Sequence, residues 1–321
     1  SWNDSGMCQG LMLMESYTKL YSQLCSKENI EKAFQKARKR KTLKPYVIEF
    51  EKNLKNNLAI LRTELLFHSY RPKPLKTFIL RDPKTRKISV SDFRDRVVHH
   101  TICNIIEPIF EKKFIYDSYA NRKGKGTLAA LDRLKLFMKK ATRNGTLINK
   151  HNNKDIKGFF LKGDIKHYFD TINHDKLLEI ISRTIKDKEL LFFIKNILKN
   201  HNSNIEGKGM PLGNLTSQFL ANVYLNELDQ FVKHKLKVKY YIRYVDDFII
   251  LNNDKNKLEF YKEEINNFLK ENLLIELNHE KSKIMPINRG IEFLGFRNFY
   301  HHRLLKRRNT RKFFRKLKDF K

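Results

Sequence analysis

Apolar residues recur at helical spacing through residues 28–67, at Ile30, Phe34, Leu58, Leu61 and Leu65, and predict helices there. Pro45, Pro72 and Pro74 punctuate the region. Residues 78–90, FILRDPKTRKISV, place two β-branched apolar runs around an Asp-Pro segment and predict a β-hairpin with a basic tip. A helix is expected over 92–113, with Asp92 as its N-cap. GFFLKGDI, from Gly158, predicts a short strand ending in an acid, followed by a helix through about Lys186. Another helix is expected over 216–237. KYYIRYVDDFIIL then predicts two strands around an Asp-Asp turn, with further strands at 273–278 and 291–296. Helices and strands alternate without βαβ regularity. That is an α+β layout, an antiparallel sheet with helices on one face and the other left open for a duplex.

Charge sharpens this picture. Sixty-six Lys and Arg against 35 Asp and Glu leave a net charge of +31. A lysine-rich proteome raises such a count everywhere but does not cluster it. Here Lys36 to Lys44 carries six basic residues in nine, and Arg303 to Lys321 carries ten against one acid. Phosphate backbone is the expected counter-charge, with Lys36, Arg38, Lys39, Arg40, Lys41, Arg307, Arg308 and Arg311 as its contacts. No apolar run reaches the roughly 18 residues of a membrane span. Cys8, Cys25 and Cys103 are isolated, which suits a reducing cytoplasm, and the pairs His99-His100 and His301-His302 lack zinc-ligand spacing. No secretory signal is read, and residues 1–13, ahead of Met14, read as an upstream remnant.

The candidate chemistry lies in the acids. Tyr244-Val245-Asp246-Asp247 sets two carboxylates at a hairpin tip, and Asp164 ends a second apolar strand. An Asp-rich turn and a helix N-cap are the ordinary uses of such residues. Acids from separate strands also suit two-metal phosphoryl transfer, for which magnesium matches an all-oxygen ligand set. GMPLGNLTSQ, residues 209–218, has Gly209, Pro211 and Gly213 in a tight segment that lets a planar base approach, with Thr216 or Ser217 capping the helix that follows.

These pieces occur in a serial order: Asp164, GMPLGNLTSQ, YVDD, LNHEKSKI (277–284), EFLGF (292–296). That order resembles reverse transcriptases. Upstream, RKISVSDFRDRVVHHTICNIIEPIFEKKF (86–114) and DSYANRKGKGT (117–127) resemble the finger motifs of retron and group II intron enzymes, so the likeness covers roughly residues 75–300.

The resemblance implies a right-hand polymerase fold. Residues 1–157 would be N-terminal helices and fingers, 158–298 a palm with part of the fingers within about 176–210, and 299–321 the basic start of a short or incomplete thumb. It assigns two Mg2+ ions, with Mn2+ as substitute, to Asp164, Asp246, Asp247 and the carbonyl of Ile165. Lys281 would protonate pyrophosphate, with a plain surface lysine as the alternative. Phe169 matches the aromatic gate that excludes a 2′-hydroxyl, or is a core aromatic. Arg81 and Arg86, with Lys87 behind them, match residues gripping the incoming dNTP, while Arg94 and Arg96 read as structural. Phe293, Leu294, Gly295 and Phe296 resemble the primer grip.

Leu212 stands where most relatives carry Gln, and Gln218 where they carry Pro. Those two dNTP-site positions, with VHHTICNIIEPIF and INRGIEFLGF, resemble diversity-generating retroelement enzymes, which copy a template RNA with errors at adenines. Losing a glutamine's polar contact cheapens misincorporation by about 1–2 kcal/mol. Implied partners are template RNA, the RNA/cDNA duplex, dNTPs and an accessory protein completing the duplex channel, in a bacterial, archaeal or phage-encoded cytoplasmic enzyme. A defence-associated, retron-like or intron-like enzyme is the alternative, and a non-catalytic RNA-binding protein a third.

Overall fold

The computed structural model describes residues 17–81, 85–145, 156–201 and 205–318. Residues 1–13 and the expected hairpin tip at 82–84 lie outside them. The chain opens with helices α1 (Leu20–Leu24), α2 (Lys27–Arg38), α3 (Pro45–Lys52) and α4 (Leu54–Leu66). Ser26 caps α2 by accepting the Asn29 amide, and Lys36 and Arg38 fall in its last turn, where the helix dipole favours cations. Strands β1 (Lys76–Leu80) and β2 (Arg86–Val90) form the antiparallel hairpin, Leu80 opposite Arg86. Asp92 caps α5 (Phe93–Glu111) through the Arg94 amide at 3.1 Å.

Next come α6 (Thr127–Ala141), β3 (Phe159–Gly163), α7 (Tyr168–Thr171), α8 (His174–Ser182), α9 (Lys188–Lys199) and α10 (Leu215–Gln230), which widens into a π-type turn over Phe231–Lys235. The chain continues through β4 (Tyr240–Tyr244), β5 (Asp247–Asn252), α11 (Lys255–Leu273), β6 (Lys283–Pro286), β7 (Ile291–Phe293), β8 (Phe296–Asn298), β9 (Arg303–Leu305) and α12 (Arg307–Lys318).

Two compact units emerge. Ser1–Lys113 with Phe169–Tyr224 is one, and Phe114–Tyr168 with Leu225–Lys321 the other. In the first, buried polar bonds fix the helices to one another. Asn29 donates to the carbonyls of Leu24 and Thr101, and Asp187 accepts both the Tyr21 amide at 2.8 Å and, as N-cap of α9, the Leu190 amide at 3.0 Å. In the second, the sheet runs β4-β5-β3-β6, antiparallel throughout, beside a smaller β7-β8-β9 sheet.

Four expectations are corrected. Ile249 and Ile250 point to opposite faces of β5, yet both are 0% exposed. One face packs on α6, and on the other Tyr241 reaches Asp229 of α10, so the centre of the sheet is covered on both sides. The helix expected after Asp164 is two short ones ending at Ser182, because Ile172 and Asn173 bond with Gly209 and Lys208 across the break. Residues 273–278 give one isolated bridge, Ile165 to Leu277, rather than a strand, since α11 extends to Leu273 and Leu274 turns at φ 54°. Helix α10 begins at Leu215, so Thr216 and Ser217 lie inside its first turn instead of capping it.

The histidine pair on α5 carries a stability consequence. Burial holds His99 down at about 3, with His100 and Arg96 adding to it, against an ordinary 6.5. Above that pH the imidazole is neutral whether the chain is folded or not. Below it the unfolded chain takes up a proton that folded His99 refuses, so stability falls as pH drops from 6.5 toward 3. The expected loss is about 2 kcal/mol by pH 5. His100, held down at about 4 by burial and by Lys36 and Lys41, adds a loss of similar size, so urea midpoints at pH 7 and pH 5 should differ by both, and His99→Gln should remove about half of the difference.

Candidate active site

The β4–β5 connection is two residues long: Tyr244 pairs with Asp247, leaving Val245 and Asp246 as the turn. Val245 has φ 57° while Asp246 stays negative, the φ pattern of a type II′ hairpin turn. Glycine usually fills that first position, and a β-branched residue there stores about 1–3 kcal/mol of strain. The strain is held from beneath. Arg243 donates from Nη1 to the Val245 carbonyl at 2.8 Å, and from Nε and Nη2 to the two oxygens of Asp229 at 2.7 and 2.6 Å. Tyr241 donates its hydroxyl to the same carboxylate at 2.7 Å. Both side chains of the ion pair are 0% exposed. Burial works against the guanidinium's charge, but Asp229 outweighs it and holds Arg243 above the ordinary arginine range.

Sequence reasoning missed this network. The available signals were an arginine inside the otherwise apolar YYIRYV and an aspartate on the apolar α10. The DSYANRKGKGT segment supports the same strand, since Asp117 and Tyr119 exchange backbone bonds with Arg243 at 2.9 and 3.0 Å. Arg133 in turn grips the Asp117 carboxylate at 2.7 Å.

Asp164 comes from β3. Gly163 pairs with Phe248, so the next step along both strands sets Asp164 across from Asp247, where cross-strand Cβ atoms lie about 5 Å apart. Gly163 makes this approach possible: a Cβ there would stand 2.1 Å from the Phe248 ring. The backbone of Asp164 is clamped by LNHEKSKI. Asn278 donates its amide to the Asp164 carbonyl at 2.8 Å, and Ser282 Oγ accepts the Asp164 amide at 3.2 Å. Lys281 places Nζ 2.8 Å from Asp164 Oδ2. That hydrogen bond, together with the charges of Asp164, Asp246 and Asp247, holds the lysine above its usual range. One ammonium therefore feels all three acids.

The donor chemistry fits a hard divalent cation. Asp164 and Asp247 lie at neighbouring strand ends with Asp246 in the adjoining turn, and the bonds flanking the Ile165–Leu277 bridge turn the Ile165 carbonyl away from Leu277. No group of three or more acidic, histidine or cysteine side chains is placed to hold a metal ion among the described residues; Asp164 is bound by Lys281 instead.

The other candidates fall into place by unit. Phe293 and Phe296 pair across a two-residue turn with positive φ at both Leu294 (49°) and Gly295 (86°), the type I′ pattern. The Gly295 carbonyl accepts the Lys306 amide at 3.1 Å, which ties the turn to the segment entering α12. Arg307, Arg308 and Arg311 are exposed on that helix.

In the first unit, Arg81, Arg86 and Lys87 are exposed on the β1–β2 hairpin. Phe169, in α7, accepts the Met210 amide at its carbonyl at 2.7 Å, and Ser89 of β2 donates its amide to the Leu212 carbonyl at 3.0 Å. Gly213, at φ 119°, lies against β2 so closely that a Cβ would meet the Ser89 carbonyl oxygen at 3.2 Å. Within the basic run, Arg38 turns to Glu51 at 2.6 Å, while Lys36, Lys39, Arg40 and Lys41 share a concavity with Gln218.

The fold belongs to a known class of polymerase. Apo telomerase from Candida tropicalis, truncated from its C-terminal domain, matches with a TM-score of 0.54 at 14% identity, covering 76% of this chain and 59% of that one. The architecture is the right-hand polymerase fold. Over residues 72–298 the sequence matches the reverse transcriptase (RNA-dependent DNA polymerase) family, and the chain belongs to it. It is 28% identical over 292 residues to protein YkfC of Escherichia coli K12, covering 78% of this chain and 72% of YkfC. It is 25% identical over 300 residues to the group II intron-encoded protein LtrA of Lactococcus lactis, covering 71% of this chain and 47% of LtrA. The chain thus spans about half of LtrA's length. Reverse transcriptase domains generally use divalent metal ions such as Mg2+. No helix among the described residues is long and apolar enough to cross a membrane.

Proposed function

We propose that this chain is an RNA-directed DNA polymerase that extends a primer along a template RNA in the cytoplasm. The observation that carries the reading is the strand register that sets Asp164 opposite Asp247, with Lys281 bound to Asp164 in the field of all three acids. Asp164, Asp246, Asp247 and the Ile165 carbonyl would hold two Mg2+ ions, which supply activation of the primer 3′-hydroxyl and charge neutralisation on the triphosphate. In the transfer, the primer 3′-hydroxyl gives up its proton to water, its oxygen bonds to the α-phosphorus of the dNTP and the bond to pyrophosphate breaks. Lys281, charged and aimed at the acids, donates a proton to the departing pyrophosphate. Arg81, Arg86 and Lys87 hold the triphosphate, Phe169 excludes the 2′-hydroxyl, and the Phe293–Phe296 turn seats the primer end. Residues 1–157 serve as N-terminal helices and fingers, 158–298 as palm with part of the fingers within about 176–210, and 299–321 begin the thumb.

Leu212 and Gln218 favour a diversity-generating enzyme, error-prone at template adenines and completed by an accessory protein. Leu212 is held by its carbonyl bond to Ser89, so a side-chain change there leaves the loop anchored. The likeness to LtrA supports an intron-like enzyme as the second reading. Primed extension on an RNA template, with the cDNA sequenced, tests both. Metal-dependent product with misincorporation opposite adenine, reduced several-fold by Leu212→Gln, supports the first. An even error spectrum unchanged by that variant leaves the second. No product from the wild-type chain overturns the polymerase reading.

A further inference from the structure

β1 is exposed along its whole length, so β2 is the strand through which the hairpin meets the rest of the first unit. Ser89 donates its amide to the Leu212 carbonyl at 3.0 Å, and Ser91, one residue past β2, donates its amide to Asn214 Oδ1 at 3.2 Å. Amides two residues apart along a strand point to the same edge, here the one facing away from β1. Residues 212–214 therefore run along that edge as a third strand would, for the length of two bonds. Gly213 permits the close approach, because at its φ of 119° a Cβ would meet the Ile88 side chain at 3.1 Å and the Ser89 carbonyl oxygen at 3.2 Å.

The second bond uses a side chain because the chain turns into α10 at that point. The Asn214 carbonyl accepts the Gln218 amide at 3.3 Å and is committed to the helix, so the side-chain oxygen supplies the acceptor that the main chain has turned away. One residue thus touches the hairpin with its side chain and Gln218 with its backbone. Asn214, Ser89 and Ser91 are all buried, and a buried amide that loses its acceptor has no ready replacement. From α5, Arg96 Nε donates to the Ser91 carbonyl at 2.9 Å, so both polar groups of the Ser91 backbone are held. The Thr77 and Ser89 hydroxyls, 3.1 Å apart, pass the constraint across to β1.

We propose that Asn214 is a positioning residue for the incoming nucleotide: its bond to Ser91 fixes the hairpin that carries Arg81, Arg86 and Lys87 in one register against the loop that carries Leu212 and Gln218. The inference rests on the proposed function for what those residues hold. A triphosphate gripped by the hairpin and a base met by the loop belong to one molecule, so the two elements need a set spacing. Without the Asn214 acceptor every contacting group is still present, but the hairpin is free to shift. Nucleotide affinity then falls, while the acids assigned to the chemical step are untouched.

The test compares the full chain with Asn214→Ala, which removes the acceptor, and Asn214→Asp, which keeps an oxygen there and suits a helix N-terminus. Extension of a primed RNA template is followed over a range of dNTP concentrations, beside amide hydrogen exchange of residues 76–91, RNA titration and thermal melting. Asn214→Ala should raise the KM for dNTP about 10-fold with kcat within about threefold, the pattern of lost ground-state binding. Its RNA affinity should stay within about twofold, and exchange over 86–91 should quicken. Asn214→Asp should lie within about threefold of wild type in every reading. Faster exchange in the alanine variant with an unchanged KM would make the tether structural only and overturn the proposal. So would a joint loss of kcat, RNA affinity and melting temperature, which would mark a collapsed unit. An aspartate variant as impaired as the alanine variant would overturn it too, since the acceptor would not be what matters. A wild-type chain without extension defeats the polymerase reading and the nucleotide role with it, while faster exchange in the alanine variant alone still sustains the tether between hairpin and loop.

Discussion

Asp246→Asn should reduce primer extension by at least three orders of magnitude while leaving RNA affinity within about twofold. The substitution keeps the size of the side chain and one oxygen acceptor, so turn geometry and packing have little reason to change. What it removes is a full negative charge from a site where three acids act on the charge of one lysine. A loss of roughly 4 kcal/mol in transition-state stabilisation corresponds to that rate. Removing one of three neighbouring like charges should leave the melting temperature within a few degrees of wild type. Single-turnover extension with saturating primer and dNTP, run beside thermal melting and RNA titration, gives all three readings. Extension within tenfold of wild type would sink the assignment of Asp246. A collapse in melting temperature would mark the residue as structural.

Arg243→Met should destabilise the second unit by about 3–5 kcal/mol, because it strands the Asp229 carboxylate in a site with no access to water. That result alone would not show a link to the turn. A triple variant separates the two effects: Arg243→Met/Asp229→Leu/Tyr241→Phe replaces the network by apolar groups of similar size, and such replacements are often neutral for stability. Melting should return to near wild type. Extension should stay about 10- to 100-fold down, since the Val245 carbonyl has lost its donor and the left-handed turn carrying Asp246 has lost its support. Recovery of activity together with stability would show that the network serves folding alone.

Much of this site was legible before the structure, and the reason is local. Strands with acids at their ends announce themselves through short apolar runs, and the β3, β4 and β5 runs put Asp164, Asp246 and Asp247 at strand ends. Capping is equally local, which is why Asp92 was readable. What was missed depends on partners far along the chain. The break between α7 and α8 exists because Ile172 and Asn173 bond to residues 208 and 209. The cover on both faces of the sheet did have a signal, since FIIL and FFL are unbroken apolar runs rather than alternating ones. Arg243 reads as an outward-facing polar residue until Asp229, fourteen positions earlier, is seen beside it.

A single missing methyl group sets the reach between β3 and β5 at their acidic ends. With alanine at position 163, the Phe248 ring would have to leave its seat, because the added carbon would fall within 2.1 Å of it. Either the ring swings out of its buried seat or the two backbones part, and the second outcome widens the gap between Asp164 and Asp247. If these acids hold the metal as proposed, Gly163→Ala would raise the divalent-ion concentration that extension requires, through a residue that offers no ligand atom.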